Sequence, residues 1–345
     1  MDKIFPMRVI EKSAVPYQFV EKPTAVATQY EFAGEVRSLD EFLARSQTTG
    51  LLIIQDDVII HEAYFGGYDA ESKATSFSVA KSFVSTLVGI ALEEGLIADI
   101  HDPITKYVPE LEKSGFDGVS IAHVLQMSSG VDFSEVYDDE STDAFKIFDR
   151  LFILMQPIDK ITPSYGSRTA AGQEFAYASI NTQALTMLIR AVSGQDLTAY
   201  LQQKLWQPLG MADDGSWMLD RHGTEVGFMG LNATLRDFAK LGLLFLHKGT
   251  FNGQQIVSEA WVVQATTPDL DFLQPGQIDE EWGYQYQWWI PRGSDGDFAA
   301  IGIWGQMIYV NPAANMVIVK TSADENFKAH EVEAIQAFRA IAAGN

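Results

Sequence analysis

Residues 75–111 read TSFSVAKSFVSTLVGIALEEGLIADIHDPITKYVPEL. Within them Ser76–Gly95 predicts a helix. Val79, Phe83, Leu87, Ile90 and Ala91 recur at helical spacing and make one apolar face. Gly95 supplies a C-terminal stop, because glycine enters the left-handed region without a Cβ clash. The helix opens on Ser78-Val79-Ala80-Lys81. Positions i and i+3 share a helix face, so the Lys81 amine reaches the Ser78 hydroxyl. A serine hydroxyl is a weak nucleophile and needs a base. A lysine serves once burial lowers its pKa, since desolvation disfavours the ammonium form. Phe77 and Phe83 flank the pair and argue against a freely solvated lysine. The helix N-terminus adds unpaired N–H groups that favour developing negative charge.

The spacing alone is a weak signal. With 22 Ser and 14 Lys in the chain, random placement gives about 0.9 such patterns, and one is present. An N-cap serine followed by a surface lysine meets it equally well. Other nucleophile systems fare worse. The six histidines are His61, His101, His123, His222, His247 and His330, and none stands in a triad context. There is no G-x-S-x-G elbow. His61-Glu62 lacks the second histidine of a zincin, so neither a metal nor a cofactor is expected.

Composition narrows the function classes. The 345 residues include 46 acidic and 24 basic side chains, for a net charge of −22. Such a chain repels phosphate backbones and anionic membranes, which counts against nucleic-acid binding. No cysteine is present, so disulfides, thiolate metal sites and cysteine nucleophiles are out. The opening MDKIFPMRVIEK has no apolar h-region and no small-residue cleavage site, so no signal peptide is expected. No apolar run is long enough to span a membrane, and the cytoplasm is the default compartment.

Outward from the helix, Leu51–Ile54 and Val58–Phe65 read as a hairpin split by Asp56-Asp57. Residues 1–48 read as an irregular lead-in plus a short helix at Leu39–Arg45. Residues 100–250 are mostly helical, with Ser120 capping Ile121–Met127 and Gly194 ending Asn181–Val192. Leu197–Trp206 and Ala233–His247 are further helices. Strands return at Tyr284–Ile290, Ala299–Ile303, Gln306–Val310 and Met316–Lys320, and a helix over Glu325–Ala343 closes the chain. The expected fold class is α+β. The two terminal β regions, 1–100 and 250–345, pair in one antiparallel sheet, and 101–249 forms a helical lobe with the site in the cleft between.

These residues also carry a family resemblance. Residues 75–111 resemble the first motif region of the serine β-lactamase and penicillin-recognising fold. VSIAHVLQMSSGVDF (119–133) resembles the helix-turn segment that follows there. GQEFAYASINTQALTMLIRAVSGQDLTAYLQQKLWQPLGM (172–211) resembles the second motif region, with Tyr177-Ala178-Ser179 at the tyrosine motif. FSEVYDDESTD, LNATLRDFAKLGLLFLHKG and GIWGQMIYVNP are similar to nylon-oligomer (6-aminohexanoate-dimer) hydrolases and class C-like carboxylesterases.

The resemblance implies roles. Ser78 is the acyl-accepting nucleophile. Lys81 is either the neutral base or the cation that keeps Tyr177 ionised, and Tyr177 relays the proton. Backbone N–H groups of Ser78 and Ile303 form the oxyanion hole, and Gly302 lets the strand approach the substrate. Tyr137 matches a loop tyrosine that contacts the substrate amide, or is an exposed loop tyrosine, and Ser179 stands where the motif usually has Asn. Apart from the resemblance, Trp304 either lines the pocket or packs in the core. Asp138, Asp139 and Glu140 are set either to attract a substrate ammonium group or to form a solvated charge run. Trp288 and Trp289 point to opposite sheet faces, so at most one faces the cleft. The third motif, usually K-T-G or H-x-G, is absent, and Ala300-Ile301-Gly302 takes its place. That removes a positive group that would hold a substrate carboxylate.

The implied activity is a serine hydrolase acting on carboxylic esters or small linear amides through an acyl-enzyme. The alternatives are a β-lactamase or D-Ala carboxypeptidase, and a catalytically silent binding relative. The implied partner is a small-molecule substrate, and a homodimer stays open.

Overall fold

The computed structural model of the protein describes residues 5–293 and 296–344. The elements that place the site run in chain order as β1 (Met7–Ile10), β2 (Val20–Glu21), α1 (Leu39–Arg45), β3 (Thr48–Gln55), β4 (Val58–Tyr64), β5 (Lys73–Thr75) and α2 (Ala80–Glu93). They continue as α3 (Ser179–Ser193), β6 (Gly215–Met218), β7 (Leu231–Thr234) and α4 (Leu235–Leu246). The last third holds β8 (Trp282–Gln285), β9 (Trp288–Pro291), β10 (Phe298–Gly302), β11 (Gln306–Asn311), β12 (Met316–Ser322) and α5 (Phe327–Gly344).

The main sheet has eight strands in the order β8-β9-β10-β11-β12-β3-β4-β2. The terminal regions meet at β12 and β3, where Ile318 lies opposite Ile53 and Val319 opposite Leu52. All neighbours are antiparallel except β2 beside β4. The class is α+β, with the sheet built from both ends of the chain as expected. Runs such as Leu51–Ile54 are apolar at every position because both sheet faces are covered. Leu52, Ile54, Val317 and Val319 join the core under α4. Gly242 lets that helix lie close, since a Cβ there would sit 2.6 Å from a Val317 methyl. Leu51, Ile53 and Ile318 pack on the other face with Phe42 of α1 and Phe338 and Ile341 of α5. Removing a buried ring such as Phe338 would cost about 3–5 kcal/mol.

Three features depart from the sequence reading. The lead-in contributes β1 to a second sheet, ordered β1-β6-β7-β5. Its strands are four residues or shorter, and β1 pairs with residues about two hundred positions away, so no local pattern announces it. Within 101–249, β6 and β7 belong to that small sheet, and α4 packs against β11, β12 and β3. Finally, Tyr284–Ile290 is two strands, not one. Tyr286 and Gln287 form a tight turn with φ of 30° and 69°. The turn is held from α2: Ser85 Oγ donates to Tyr286 O and Ser82 Oγ to Gln287 O, both at 2.7 Å. Buried hydrogen bonds from a distant helix outweigh the strand propensity of Tyr and Trp.

Candidate active site

Ser78 lies in a single 3-10 turn, Phe77–Val79, that leads into α2. Phe77 has φ of 43°, a left-handed value that costs a bulky residue about 1–3 kcal/mol. Its neighbours hold it there. Ser76 N–H donates to Leu231 O of β7 at 2.7 Å. Gly302, the last residue of β10, presses on the same turn. A Cβ at Gly302 would fall 2.5 Å from Ser76 O and 3.1 Å from Ser78 N, so the approach requires glycine. The Ser78 amide thus lies directly beside the end of β10.

One helical turn on, Lys81 Nζ is 2.7 Å from Ser78 Oγ. Lys81 is 1% exposed, unlike a surface lysine that merely follows a cap. Its amine also donates to Phe228 O at 3.1 Å. Burial pushes its pKa down to about 8, with the Glu135 charge opposing. At neutral pH and above, a growing share of Lys81 is the free amine that can take a proton. The Tyr177 ring centre lies 5.2 Å from Lys81 Nζ. Burial, and then the charge of Glu135, raises the Tyr177 phenol well above its ordinary pKa, and the Ser78 hydroxyl opposes the rise. Tyr177 is therefore a neutral phenol here.

The cleft at Ser78 has a volume of about 310 Å³ and is lined by Tyr137, Tyr177, Gly302 and Ile303 among others. A recess of about 50 Å³ beside it adds Ser179 and Phe228. Trp289 forms part of the cleft wall, stacked on Tyr177 with ring centres 5.4 Å apart. Trp288 points the other way and is buried against Phe245 and Phe298.

One placement corrects the sequence reading, and the acidic run at 138–140 takes the second of its two readings, a solvated charge run. Trp304 does not line the Ser78 cleft. It lines a separate cavity of about 730 Å³ that also touches Phe77 and is larger than the cleft that holds Ser78. The reason is the turn after Gly302, where Trp304 takes φ of 64° and swings its side chain away. Asp138, Asp139 and Glu140 are exposed, and Asp138 pairs with Lys328 at 2.8 Å.

The carboxylates that do line the cleft are Glu135, Asp279 and Glu331. Glu135 accepts from Ser179 N–H at 2.6 Å, from the Ser179 hydroxyl at 2.8 Å, and from the Tyr137 hydroxyl. Glu135 thus ties together Ser179 and Tyr137, which line the cleft and its recess themselves. The signal for Glu135 was its place two residues before Tyr137, but the acidic run after Tyr137 is the more conspicuous feature. Burial pushes Glu331 up to about 7, although Lys328 draws it down. Asn181, two residues beyond the tyrosine motif, is buried and turned to Ser129 Oγ at 2.6 Å. Among the described residues, no cluster of His, Asp or Glu is arranged to hold a metal ion, and no helix is long and apolar enough to cross a membrane.

A buried lysine against a serine at a helix start, faced by a tyrosine across a cleft, defines a hydrolase of the serine β-lactamase fold. A family model described as Beta-lactamase matches residues 37–342, and the chain belongs to that family. It is 30% identical over 323 residues to a 6-aminohexanoate-dimer hydrolase of Paenarthrobacter ureafaciens, covering 90% of this chain and 80% of the relative. Among solved structures, a Bacillus anthracis protein assigned provisionally as 6-aminohexanoate-dimer hydrolase superposes with a TM-score of 0.89 at 23% identity. That match covers 98% of this chain and 91% of the other. A family VIII carboxylesterase superposes with a TM-score of 0.67 at 16% identity, over 87% of this chain and 96% of that one. At these identities the two structures speak for the fold alone.

Proposed function

We propose that the protein hydrolyses carboxylic esters and small linear amides through an acyl-enzyme on Ser78. The observation that carries this reading is the 2.7 Å contact between Ser78 Oγ and a buried, readily deprotonated Lys81 amine. Ser78 Oγ attacks the carbonyl carbon and its proton passes to Lys81. The carbonyl oxygen becomes an oxyanion, held by the backbone N–H groups of Ser78 and Ile303. Collapse breaks the bond to the alcohol or amine, which takes a proton by way of Tyr177. Water, deprotonated by the same pair, then attacks the acyl ester, releases the acid and restores Ser78. Ester cleavage is the easier step because an alkoxide leaves more readily than an amide nitrogen.

The lining favours substrates that carry an amine. Three carboxylates, Glu135, Asp279 and Glu331, face the cleft against one cation, Lys328. Trp282, Trp289 and Tyr177 add aromatic faces, which attract an ammonium group. The same field repels anionic acyl donors such as penicillins. The name of the Paenarthrobacter relative, an amine-bearing amide hydrolase, supports this choice.

The test is hydrolysis of p-nitrophenyl acetate by wild type and Ser78→Ala. Turnover by wild type alone is expected. Equal rates, or no turnover by either, would overturn the assignment.

A further inference from the structure

We infer that Ser322 and Lys320 are positioning residues that hold the Ile303–Gly305 turn and, with it, the Ile303 amide of the oxyanion hole. The inference rests on the acyl-enzyme reading above. Neither side chain lines the Ser78 cleft.

The turn is costly to hold. Between β10 and β11 the chain passes through Trp304 at φ 64° and Gly305 at φ 79°. A bulky side chain in the left-handed region persists only where its surroundings over-determine it. Here the turn carbonyls are gripped. Trp304 O accepts from Ser322 Oγ at 2.9 Å, Gln306 Nε2 at 3.1 Å and Asp324 N–H at 3.1 Å. Gly305 O accepts from the same Ser322 hydroxyl at 2.9 Å and lies 3.4 Å from Lys320 Nζ. Gly305 permits the approach, because a Cβ there would sit 2.4 Å from Ser322 Oγ.

Lys320 gives that hydroxyl a direction. Its Nζ lies 2.8 Å from Ser322 Oγ and donates to it. The Ser322 oxygen is then an acceptor on the lysine side, so its own proton must turn to the Trp304 and Gly305 carbonyls. Lys320 occupies a position where the strand pattern calls for an apolar residue. It stands on β12 opposite Met307 and Leu51, with its amine 5.7 Å from the Phe42 ring centre. Burial pushes that amine down to about 8, with Asp324 opposing. A methionine would fill the same space without the desolvation penalty, so the amine opposes stability and serves the turn.

The experiment uses the whole chain, p-nitrophenyl acetate, and a small alkyl boronic acid whose tetrahedral adduct on Ser78 mimics the oxyanion. In Lys320→Met and Ser322→Ala, kcat/KM should fall about 10- to 100-fold with KM within about twofold, and boronate Kd should rise by the same factor. Ser322→Thr, which keeps the hydroxyl, should recover most of both. Lys320→Met should melt no lower than wild type, which separates positioning from a loss of folding. Folded variants with wild-type boronate affinity would overturn the positioning role alone. Absence of Ser78-dependent boronate binding in wild type would overturn the acyl-enzyme reading and this inference with it.

Discussion

Lys81 and Lys320 are near twins in local chemistry. Each is almost fully buried, each sits within 3 Å of a serine hydroxyl, and burial lowers each amine to about 8. What differs is the surrounding shell. Lys81 binds a serine that lines a cleft with a tyrosine and a glycine-bounded strand end. Lys320 lies in the sheet under Phe42, and its serine points at turn carbonyls. The pair teaches that a buried lysine–serine contact does not by itself mark a site, and that an open cleft is what sets Ser78 apart.

Replacing each lysine by methionine breaks this comparison most sharply. Lys81→Met should lower kcat/KM on p-nitrophenyl acetate by about 10³–10⁴-fold, since the base itself is lost. In wild type the same rate should climb with pH and level off above about 8, as Lys81 becomes the free amine. A rate that is flat across pH 6.5–9 would count against Lys81 as base.

Tyr177→Phe comes next, with a loss of about 10²–10³-fold. Single-turnover kinetics should show the loss in the proton-transfer steps, with substrate binding unchanged.

Stability should then reveal what the two lysines share. Each native pKa lies below the unfolded value of about 10.4, so the penalty is fully present below about pH 8 and is relieved as pH rises to 10.4. Lys320→Met should therefore stabilise the fold at pH 7 by about 1–3 kcal/mol and flatten the rise in stability between pH 8 and 10. Denaturant midpoints at pH 7 and pH 10 would check both parts.

The smallest effect tests the cleft's charge, which Lys320 has no share in. Glu331→Gln should raise KM about fivefold for an ester bearing an ammonium group and leave a neutral ester unchanged, the size of a partly exposed ion pair. Equal shifts on both esters would mean that Glu331 does not meet the amine.

Much of this molecule is written in local pattern. Leu51–Ile54, Met316–Lys320 and the helix after Ser78 declare themselves by runs and periods that neighbours in sequence share. Ser78, Lys81 and Tyr177 stood out as candidates through a family resemblance carried on short local motifs, where the S-x-x-K spacing alone did not distinguish them. Glu135 was obscured by the louder acidic run at 138–140, whose members turn out to be exposed. The helix α2 shows the limit of amphipathic reading. Its apolar face was visible, yet Ser82, Ser85 and Thr86 are buried as well. Two of these serines bind the turn that splits Tyr284–Ile290.

By itself, the amino-acid sequence determined the α+β class and the pairing of its two ends in one sheet, and its resemblance to a family singled out Ser78, Lys81 and Tyr177 as candidates. Residue spacing and apolar period are properties of the chain before it folds. Only the tertiary structure decided that Trp304 turns away from the cleft, that Glu135 turns into it, and that Lys320 lies buried behind the Ile303–Gly305 turn. Those outcomes depend on φ angles and hydrogen bonds between segments tens to hundreds of residues apart, and no window along the chain contains both partners.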